Sequence, residues 1–442
     1  MTIYLGLGAN DGDRGRNLER AVEKLAAAGF RLRRVSPVVE SPALLPPEAK
    51  PEWHKPYLNL AVAGDADWSP QQGLGIAKKI ESELGRAPSR PEMKWSPRPV
   101  DIDILRWHDL RLGPGKLTVP HADAAKRDFV LTPLLHLQPD LPAEINGGAN
   151  GKSVFELTRE IRPIPLWMAA VNVTPDSFSD GGAWSDARAL EAHFDKLIAR
   201  NVQIIDLGAE STRPGGAALD AHEEWARLEP ALAMLAEKLS GRHIAPWLSL
   251  DSRNPRTLEK ALRYGVNIIN DVTGLADPNM QALMRDSGCQ AVAMHSLDVP
   301  ADPANTLRET PGRGAVAQIL EWAERRMETW AKARLDLNRI LLDPGIGFGK
   351  TSLQCFEILS HCAQLRRAGL RLAVGHSRKS FMRALAPPGA APADGDAETL
   401  GVSLALCGQG ADVIRVHDPF LHMRAYLGWA HIAGRGEPPA PK

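Results

Sequence analysis

The sequence has few cysteines, and none of them are spaced as a pair. Four occur in 442 residues, without the two-residue spacing that is typical of zinc-binding and redox motifs. We therefore predict four reduced thiols packed inside the protein rather than disulfide bridges. The four are Cys289, Cys355, Cys362 and Cys407.

The sequence also lacks an excess of either charge and any long apolar run. Lys plus Arg and Asp plus Glu both number 53, a balance that disfavours nucleic-acid and membrane-surface partners. No apolar stretch approaches the ~18 residues that a membrane span requires. The first residues lack the basic segment and the long apolar core of a signal peptide. We expect a cytoplasmic protein that binds neither nucleic acid nor membranes.

A boundary between two domains is indicated by proline and glycine, which concentrate between Gln138 and Pro165. Residues 152–161 in this stretch could form one short helix that closes a first domain. We therefore predict two domains, residues 1–161 and residues 162–442. A second stretch rich in such residues, Pro387–Gly395, predicts a surface loop in the second domain.

Eight short apolar runs occur in the second domain, separated by stretches long enough for a helix. Eight β-then-α units with polar side chains at their carboxyl ends are typical of a (β/α)8 TIM barrel enzyme. We predict such an α/β barrel, with a catalytic site at its mouth. The runs are Leu166–Val173, Val202–Leu207, Trp247–Leu250, Val266–Asn270, Gln290–Met294, Ile340–Leu342, Leu370–Val374 and Val413–Val416. The polar residues that end them are Asn172, Asp206 with Glu210, Asp251, Asn270 with Asp271, His295, Asp343, Ser377 with Lys379, and Arg415 with His417.

The first domain shows the order β-α-β-β-α-β, which fits an α+β ferredoxin-like sheet with helices packed on one face. A helical turn at Leu131–Leu137 is expected after this core. The strands are predicted at Thr2–Gly8, Arg31–Val39, Tyr57–Gly64 and Val100–Arg106, and the helices at Asn17–Ala28 and Pro70–Leu84.

The predicted strand Val100–Arg106 carries two acids, Asp101 and Asp103. Residues i and i+2 of a strand face the same side, so the two carboxylates point together, opposite Ile102 and Ile104. They repel each other unless a cation lies between them, and Mg²⁺ prefers such oxygen ligands. A solvated strand face is the alternative, but nearby cations favour a polyphosphate site. These cations are Arg86, Arg90, Lys94, Arg98, His121, Lys126 and Arg127.

Six segments of the first domain occur in the order of a known family: Leu5–Asn10, Tyr57–Val62, Glu81–Arg86, Trp95–Ile104, Leu117–His121 and Arg127–Phe129. In these segments the domain resembles 6-hydroxymethyl-7,8-dihydropterin pyrophosphokinase. The resemblance implies transfer of a pyrophosphoryl group from ATP to a pterin hydroxymethyl group, with two Mg²⁺ on Asp101 and Asp103.

The resemblance also implies roles for other residues of this domain. Tyr57 and Phe129 would enclose the flat pterin, and Asn59 would hydrogen-bond its edge. Glu81 would lie in the nucleotide site. Four basic residues would bind the ATP phosphates, the first two of them as catalytic residues: Arg86, Arg98, His121 and Arg127.

Six segments of the second domain also match a family: Val171–Gly182, Ile205–Gly215, Ile268–Val272, Leu342–Lys350, Ser377–Ser380 and Arg415–His417. They resemble dihydropteroate synthase, which condenses dihydropterin pyrophosphate with 4-aminobenzoate and releases pyrophosphate. Barrel synthases of this kind are often dimers, so a homodimer through the barrel domain is expected.

This second resemblance implies three groups of binding residues. Asn172 would bind one Mg²⁺ with the pyrophosphate, aided by Arg213, Arg415 and His417. The pterin would be held by Asp251, Asn270, Asp343 and Lys379. Departure of pyrophosphate leaves a cationic pterin carbon that a carboxylate can stabilise, and we expect Asp251 to do so, with Asp251 and Lys379 as catalytic residues. The 4-aminobenzoate site would be shaped by Thr212, Phe348 and Ser377.

Two further patterns are judged not to form sites of their own. Gly349, Lys350 and Thr351 look like the end of a phosphate-binding P-loop, but Pro344 stands where that motif requires glycine. His295 and His376 have no partners at metal-ligand spacing and are expected to pack, with His295 a weak candidate for the pocket.

The sequence therefore predicts a bifunctional folate-pathway enzyme whose first domain makes the substrate of the second. One alternative is a pterin-binding barrel of the methyltransferase type, which would have little use for a cradle of cations around pyrophosphate. Another is a working barrel with a non-catalytic first domain. Pterin affinity that is independent of ATP and Mg²⁺ would support this second alternative.

Overall fold

The computed structural model describes the chain except residues 1, 89, 91–92, 114, 143–151, 162, 174–186, 211–218, 303, 309–311, 386–395 and 434–442. Contacts divide the chain into two units. The first comprises Met1–Ile164, Gly241–Ala245 and Met423–Lys442, and the second Pro165–Ser240 and Pro246–His422. The division into domains 1–161 and 162–442 stays a prediction.

The first unit has the ferredoxin-like arrangement that the sequence predicts. Its antiparallel sheet has the strand order β2-β4-β1-β5, and β3 also pairs with β4. The strands are β1 (Ile3–Ala9), β2 (Arg31–Val35), β3 (Val39–Ser41), β4 (Tyr57–Asp65) and β5 (Asp101–Trp107). The helices are α1 (Arg14–Ala27), α2 (Pro70–Glu83), α3 (Asp128–Leu137) and α4 (Val154–Glu160).

The strand expected at Arg31–Val39 is divided into β2 and β3. Pro37 lies at the break, where proline has no N–H for the ladder. The hydroxyl of Ser36 donates to the carbonyl of Pro37 (2.9 Å) and accepts from the amide of Ala61 on β4 (2.9 Å). A side chain therefore replaces a ladder hydrogen bond at this position.

Helices cover both faces of the sheet, not one face as expected. One face packs against α1 and α2, with Leu18, Leu25 and Ile102 in its core. On the other face α3 buries Leu131 and Leu135 against Tyr4. The expected single turn is a ten-residue helix, because enough of its side chains are apolar to cover the second face.

The second unit contains a closed barrel of eight parallel strands in sequence order, as predicted. The strands are β6 (Leu166–Asn172), β7 (Ile204–Gly208), β8 (Trp247–Asp251), β9 (Val266–Asp271), β10 (Gln290–Met294), β11 (Ile340–Asp343), β12 (Arg371–Gly375) and β13 (Val413–Val416). The helices are α5 (Ala187–Ala199), α6 (Ala221–Leu239), α7 (Pro255–Ala261), α8 (Pro278–Ser287), α9 (Ala315–Lys332), α10 (Ser352–Ser360), α11 (Cys362–Leu365) and α12 (Asp396–Gln409). A last helix, α13 (Pro419–Ile432), begins in the second unit, and its residues from Met423 onward belong to the first.

The barrel strands are buried along nearly their whole length, because a parallel sheet is covered on both faces. Their carboxyl ends gather at one mouth, where TIM barrels place their active sites. All four cysteines are buried free thiols, as predicted. Among the described residues no helix is long and apolar enough to cross a membrane. The loop expected at Pro387–Gly395 lies outside the described residues.

The core of the first unit gives a test of this packing. Leu18 on α1 is fully buried, whereas Leu110, which follows β5, is 37% exposed. Leu18→Ala is expected to lower the free energy of unfolding by about 2–5 kcal/mol, because it leaves a cavity. Leu110→Ala is the matched control and should change it by less than about 1 kcal/mol. Urea denaturation of the full chain measures both, and equal losses would contradict the packing described.

Candidate active sites

Strand β5 presents an acid pair on one face of the first unit's sheet. Ile102 and Ile104 are buried on the opposite face, while Asp101 and Asp103 are half-buried. Asp101 lies opposite Gly8 of β1, and Asp103 opposite Gly6. The neighbouring strand therefore places no side chain beside either carboxylate.

Two arginines bind only one member of this pair. Arg86 and Arg98 both contact Asp101, Arg98 through Nη1 at 2.9 Å from Oδ2. Burial raises the pKa of Asp101, but the two guanidinium groups outweigh it and leave this pKa below its usual value. Burial also raises the pKa of Asp103, and there the charge of Asp101 adds to the effect. The negative charge of the pair is thus least compensated at Asp103.

Glu81 on α2 supports the acid pair from the buried side. Its Oε1 accepts from the amide of Ile102 (2.9 Å) and pairs with Nη1 of Arg86 (2.8 Å). Lys78 adds a contact of 2.8 Å to the same oxygen. Burial raises the pKa of Glu81. Its place in the nucleotide site stays a prediction, since the side chain is 3% exposed and already bonded to protein groups.

Three residues expected around the pterin lie on two elements of the first unit. Tyr57 and Asn59 are two residues apart on β4, and Phe129 is on α3. Asn59 is buried and donates through Nδ2 to the hydroxyl of Ser41 (3.0 Å). Burial raises the pKa of Tyr57. The guanidinium of Arg127 lies 5.8 Å from the centre of the Phe129 ring.

Two more residues that are predicted to bind phosphate act on Asp103. His121 and Arg127 both oppose the rise in the pKa of Asp103. Arg127 is itself held by Asp123 (2.9 Å), whose amide donates to Nδ1 of His121 (3.2 Å). Asp103 is therefore within the electrostatic reach of the second pair of predicted phosphate-binding residues.

Asn10 is a residue of this site that the sequence reasoning missed. Its Oδ1 accepts from the amide of Arg98 (2.8 Å), and its Nδ2 donates to the carbonyl of Lys55 (3.2 Å). Its own amide donates to the carbonyl of Arg98 (3.1 Å). Asn10 thus fixes the segment that carries Arg98 and the segment that leads to Tyr57. The only sequence signal was its position at the end of Leu5–Asn10.

At the barrel mouth, Arg415 of β13 joins two acids from the other side of the barrel. Its Nε lies 2.6 Å from Oδ2 of Asp206, and its Nη2 lies 2.9 Å from Oδ2 of Asp251. Asn270 donates to the same Oδ2 of Asp206 (3.2 Å). Asp206 is fully buried. The sequence places it at a strand end but gives it no role in the predicted site.

Asp251 and Asp343 at this mouth are difficult to ionise because burial disfavours their charged forms. Burial raises the pKa of Asp251 to about 7, although Arg415 opposes the rise. Burial also raises the pKa of Asp343, whose Oδ1 accepts from the amide of Gly345 (2.7 Å). Lys379 opposes the rise at both acids. Cations of the mouth therefore favour the ionised form of each carboxyl group.

The other predicted residues lie on neighbouring strand ends. Lys379 places its Nζ 4.4 Å from the centre of the Phe348 ring. Ser377 and His417 share a hydrogen bond of 2.9 Å between Oγ and Nδ1. Asn172 ends β6 opposite Gly208 of β7. Two further predicted residues, Thr212 and Arg213, lie outside the described residues.

Close packing and a second ion pair shape the loops of this mouth. A Cβ added to Gly208 would lie 3.1 Å from that of Asp251, so a glycine here gives the acid its room. Arg253 binds Glu210 in a bidentate pair (2.8 and 3.0 Å). This pair ties the segment after β8 to the segment after β7. His376 is fully buried and contacts the carbonyl of Thr399 (3.1 Å).

Removal of Arg415 tests the network of the barrel mouth. Arg415→Met is expected to cost about 3–5 kcal/mol of stability, because two buried carboxylates lose their cation. Burial already raises the pKa of Asp251 to about 7, and loss of the guanidinium group should raise it further. The folded variant therefore holds a proton on Asp251 that the unfolded chain releases, so the loss of stability should grow as pH rises from 5.5 to 8. Urea denaturation at both pH values measures it.

The matched control is the double variant Arg415→Met/Asp206→Asn. This variant removes the fully buried charge of Asp206 together with its partner Arg415, so it should recover part of the stability that Arg415→Met loses. A loss that is the same at both pH values, or no recovery, would contradict the network.

Comparison with known proteins finds two families along the chain. Residues 4–139 match the family of 7,8-dihydro-6-hydroxymethylpterin-pyrophosphokinase. Residues 168–417, more than half of the chain, match the family described as pterin binding enzyme.

Individual proteins agree with this division. The folate synthesis bifunctional protein of Chlamydia trachomatis is 35% identical over 97% of this chain and 98% of its own length. The dihydropteroate synthase of Xanthomonas albilineans, solved with 4-aminobenzoic acid, is 31% identical with a TM-score of 0.54 and covers 61% of this chain and 93% of its own. That of Anaplasma phagocytophilum, with bound 6-hydroxymethylpterin-monophosphate, is 30% identical with a TM-score of 0.53, over 61% of this chain and 99% of its own.

Both halves thus have relatives, and one relative spans them together at high coverage. The chain therefore belongs to the bifunctional folate-synthesis enzymes, transferases that join a 6-hydroxymethyl-7,8-dihydropterin pyrophosphokinase domain to a dihydropteroate synthase barrel and catalyse two successive steps of the pathway.

Proposed function

We propose that the acid pair of β5 is the centre of the pyrophosphokinase reaction. The observation that supports this is the shared face of Asp101 and Asp103, of which Asp101 is paired with two arginines and Asp103 is the less compensated. Two hard carboxylates that face one side suit Mg²⁺. Asp101 and Asp103 would hold two such ions with ATP, which would neutralise the charge of the phosphates.

The protein's own cations would position ATP for the transfer. Phosphoryl transfer depends mainly on positioning and on charge stabilisation. Arg86 and Arg98 would act as catalytic residues on the transferred group. Both are aligned by protein contacts, Arg86 by Glu81 and the backbone of Arg98 by Asn10. His121 and Arg127 would bind the remaining phosphate oxygens, with Glu81 beside the nucleotide.

The pterin would lie between aromatic faces in the first unit. Tyr57 and Phe129 offer flat surfaces that suit a planar heterocycle. Asn59 gives its Nδ2 to Ser41, which leaves Oδ1 as an acceptor for an N–H of the pterin edge. The hydroxymethyl oxygen would attack the β-phosphorus of ATP, and AMP would leave.

In the barrel we propose that the strand-end residues bind the pterin pyrophosphate produced by the first reaction. Asp251, Asn270, Asp343 and Lys379 would hold the pterin. Arg213, Arg415 and His417 would bind the pyrophosphate, with one Mg²⁺ on Asn172. The two bonds of Arg415 to aspartates use two of its five N–H donors, so others remain for the anion.

The condensation needs a leaving group and a stabilised carbon more than a base. When the carbon–oxygen bond breaks, pyrophosphate takes the electron pair and the pterin carbon becomes cationic. The carboxylate of Asp251 would stabilise this cation, and Lys379 would act with it as a catalytic residue. The amine of 4-aminobenzoate then attacks and loses a proton. Thr212, Phe348 and Ser377 would position this weak nucleophile.

Separate inactivation of the two sites tests the assignment. Asp101→Asn/Asp103→Asn should abolish AMP formation from ATP and 6-hydroxymethyl-7,8-dihydropterin. It should still make dihydropteroate from supplied pterin pyrophosphate and 4-aminobenzoate. Lys379→Met should still form AMP but should make no dihydropteroate from supplied pterin pyrophosphate and 4-aminobenzoate. A coupled assay that follows AMP and dihydropteroate measures both.

The same assay distinguishes the alternatives. Wild-type protein that forms no AMP, yet binds the pterin without ATP and Mg²⁺, would indicate a non-catalytic first unit. Wild-type protein that does not use supplied pterin pyrophosphate would overturn the synthase assignment of the barrel residues.

We also propose a homodimer through the barrel, in a reducing cytoplasm that suits four buried free thiols. Leu353 on α10 is 78% exposed and Leu385 is 50% exposed, and exposed leucines suit an interface. Sedimentation should give twice the chain mass of 48.0 kDa. Leu353→Glu should shift it toward the monomer, whereas the control Leu110→Glu in the first unit should not. A monomeric wild type would refute the dimer.

A further inference from the structure

Lys350, the residue that made Gly349–Thr351 look like a P-loop, is buried in the barrel unit. Its Nζ has three uncharged acceptors: the carbonyl of Phe348 (2.8 Å), Nδ1 of His295 (3.0 Å) and the carbonyl of His295 (3.2 Å). An ammonium group has three donors. The donors and acceptors therefore match in number.

These acceptors belong to two different segments of the barrel mouth. His295 follows β10, and Phe348 lies in the segment that follows β11. The segments also touch at Gly345, which has φ of +65° and where an added Cβ would lie 1.9 Å from the carbonyl oxygen of His295. Lys350 bonds both segments at once and so connects them beside this contact.

Burial disfavours the charged, ammonium form of Lys350. Burial lowers the pKa of Lys350 to about 7, because a charge is poorly solvated in a protein interior, and Asp343 opposes this shift only in part. Burial likewise lowers the pKa of His295, to about 3, so the ring is neutral. Its Nδ1 can then accept from the lysine, provided that the ring proton is on Nε2. The three bonds therefore depend on a protonated lysine beside a neutral histidine.

The residue that these bonds fix most directly is Phe348. Its side chain packs against Val272, Met294 and Ala301, and its ring lies 4.4 Å from Nζ of Lys379. Lys350 bonds the backbone of Phe348. A change in this bond would therefore move the ring on which Lys379 rests.

We infer that Lys350 is a positioning residue for the dihydropteroate synthase reaction. By bonding the segment after β11 to the segment after β10, Lys350 fixes the position of Phe348 and, through Phe348, that of Lys379. This inference rests on the proposed roles of Phe348 and Lys379. The lysine serves protein oxygens and a histidine nitrogen here, instead of the phosphates that a P-loop lysine would bind.

The test compares three variants of the full-length protein: Lys350→Met, Lys350→Gln and Thr351→Ala. Methionine keeps the length of the aliphatic part of lysine but removes all donors, whereas glutamine keeps two N–H donors. Thr351 caps α10 through the amide of Gln354, so Thr351→Ala lowers stability next to Lys350 but removes none of its bonds. Each variant receives supplied pterin pyrophosphate and 4-aminobenzoate.

Lys350→Met should raise KM for 4-aminobenzoate roughly tenfold, as expected for about one lost hydrogen bond to a charged group, with a smaller change in kcat. Amide hydrogen exchange at Gly345 and Phe348 should accelerate. Lys350→Gln should fall between wild type and Lys350→Met in both measurements. Thr351→Ala should lower Tm but leave KM and these amides unchanged.

Two results would overturn the inference: a KM in both Lys350 variants no higher than in Thr351→Ala, or unchanged exchange at Gly345 and Phe348. Phe348→Ala separates this inference from the proposed site. If Phe348→Ala leaves KM unchanged, the proposed role of Phe348 fails. If Phe348→Ala raises KM but neither Lys350 variant does, only the positioning role fails.

Discussion

The barrel mouth depends on the bonding of Arg415 to Asp206 and Asp251. The two acids project from adjacent strands; Asp206 is fully buried, and burial raises the pKa of Asp251. One guanidinium group from the last strand stabilises both. The same contact fixes the direction of Asp251, whose charge the proposed condensation requires. Stability and chemistry of the mouth thus depend on the same cation.

The first unit solves a related problem in a different way. There Arg86 and Arg98 offset the negative charge of Asp101, whereas Asp103 is repelled by the charge of Asp101. The barrel arrangement favours two ionised acids within the protein, whereas the β5 arrangement favours the arrival of a cation from solution. This difference suits a kinase that binds metal with its nucleotide, and a synthase whose acids must face a substrate that becomes cationic.

Local patterns in the sequence were sufficient for most of the fold. The eight barrel strands follow from apolar runs, and the shared face of Asp101 and Asp103 follows from the period of a strand. The division of Arg31–Val39 was not predicted because it depends on Pro37 and on a hydroxyl bond to another strand. The pairing of Arg415 with Asp206 joins residues 209 positions apart, and only the closed barrel brings them together. The bonds of Lys350 likewise depend on a fold that no spacing shows.

The closure of the barrel has a consequence for its folding during synthesis on the ribosome. Strand β6, the first of the barrel, pairs with β13, the last. Until residues 413–416 leave the exit tunnel, the sheet has two open edges, and Asp206 and Asp251 have no guanidinium beside them. A nascent barrel therefore cannot hold a finished pocket, whereas the sheet of the first unit has all of its strands within the first 107 residues. The order of synthesis along the chain thus matches the order of the two reactions.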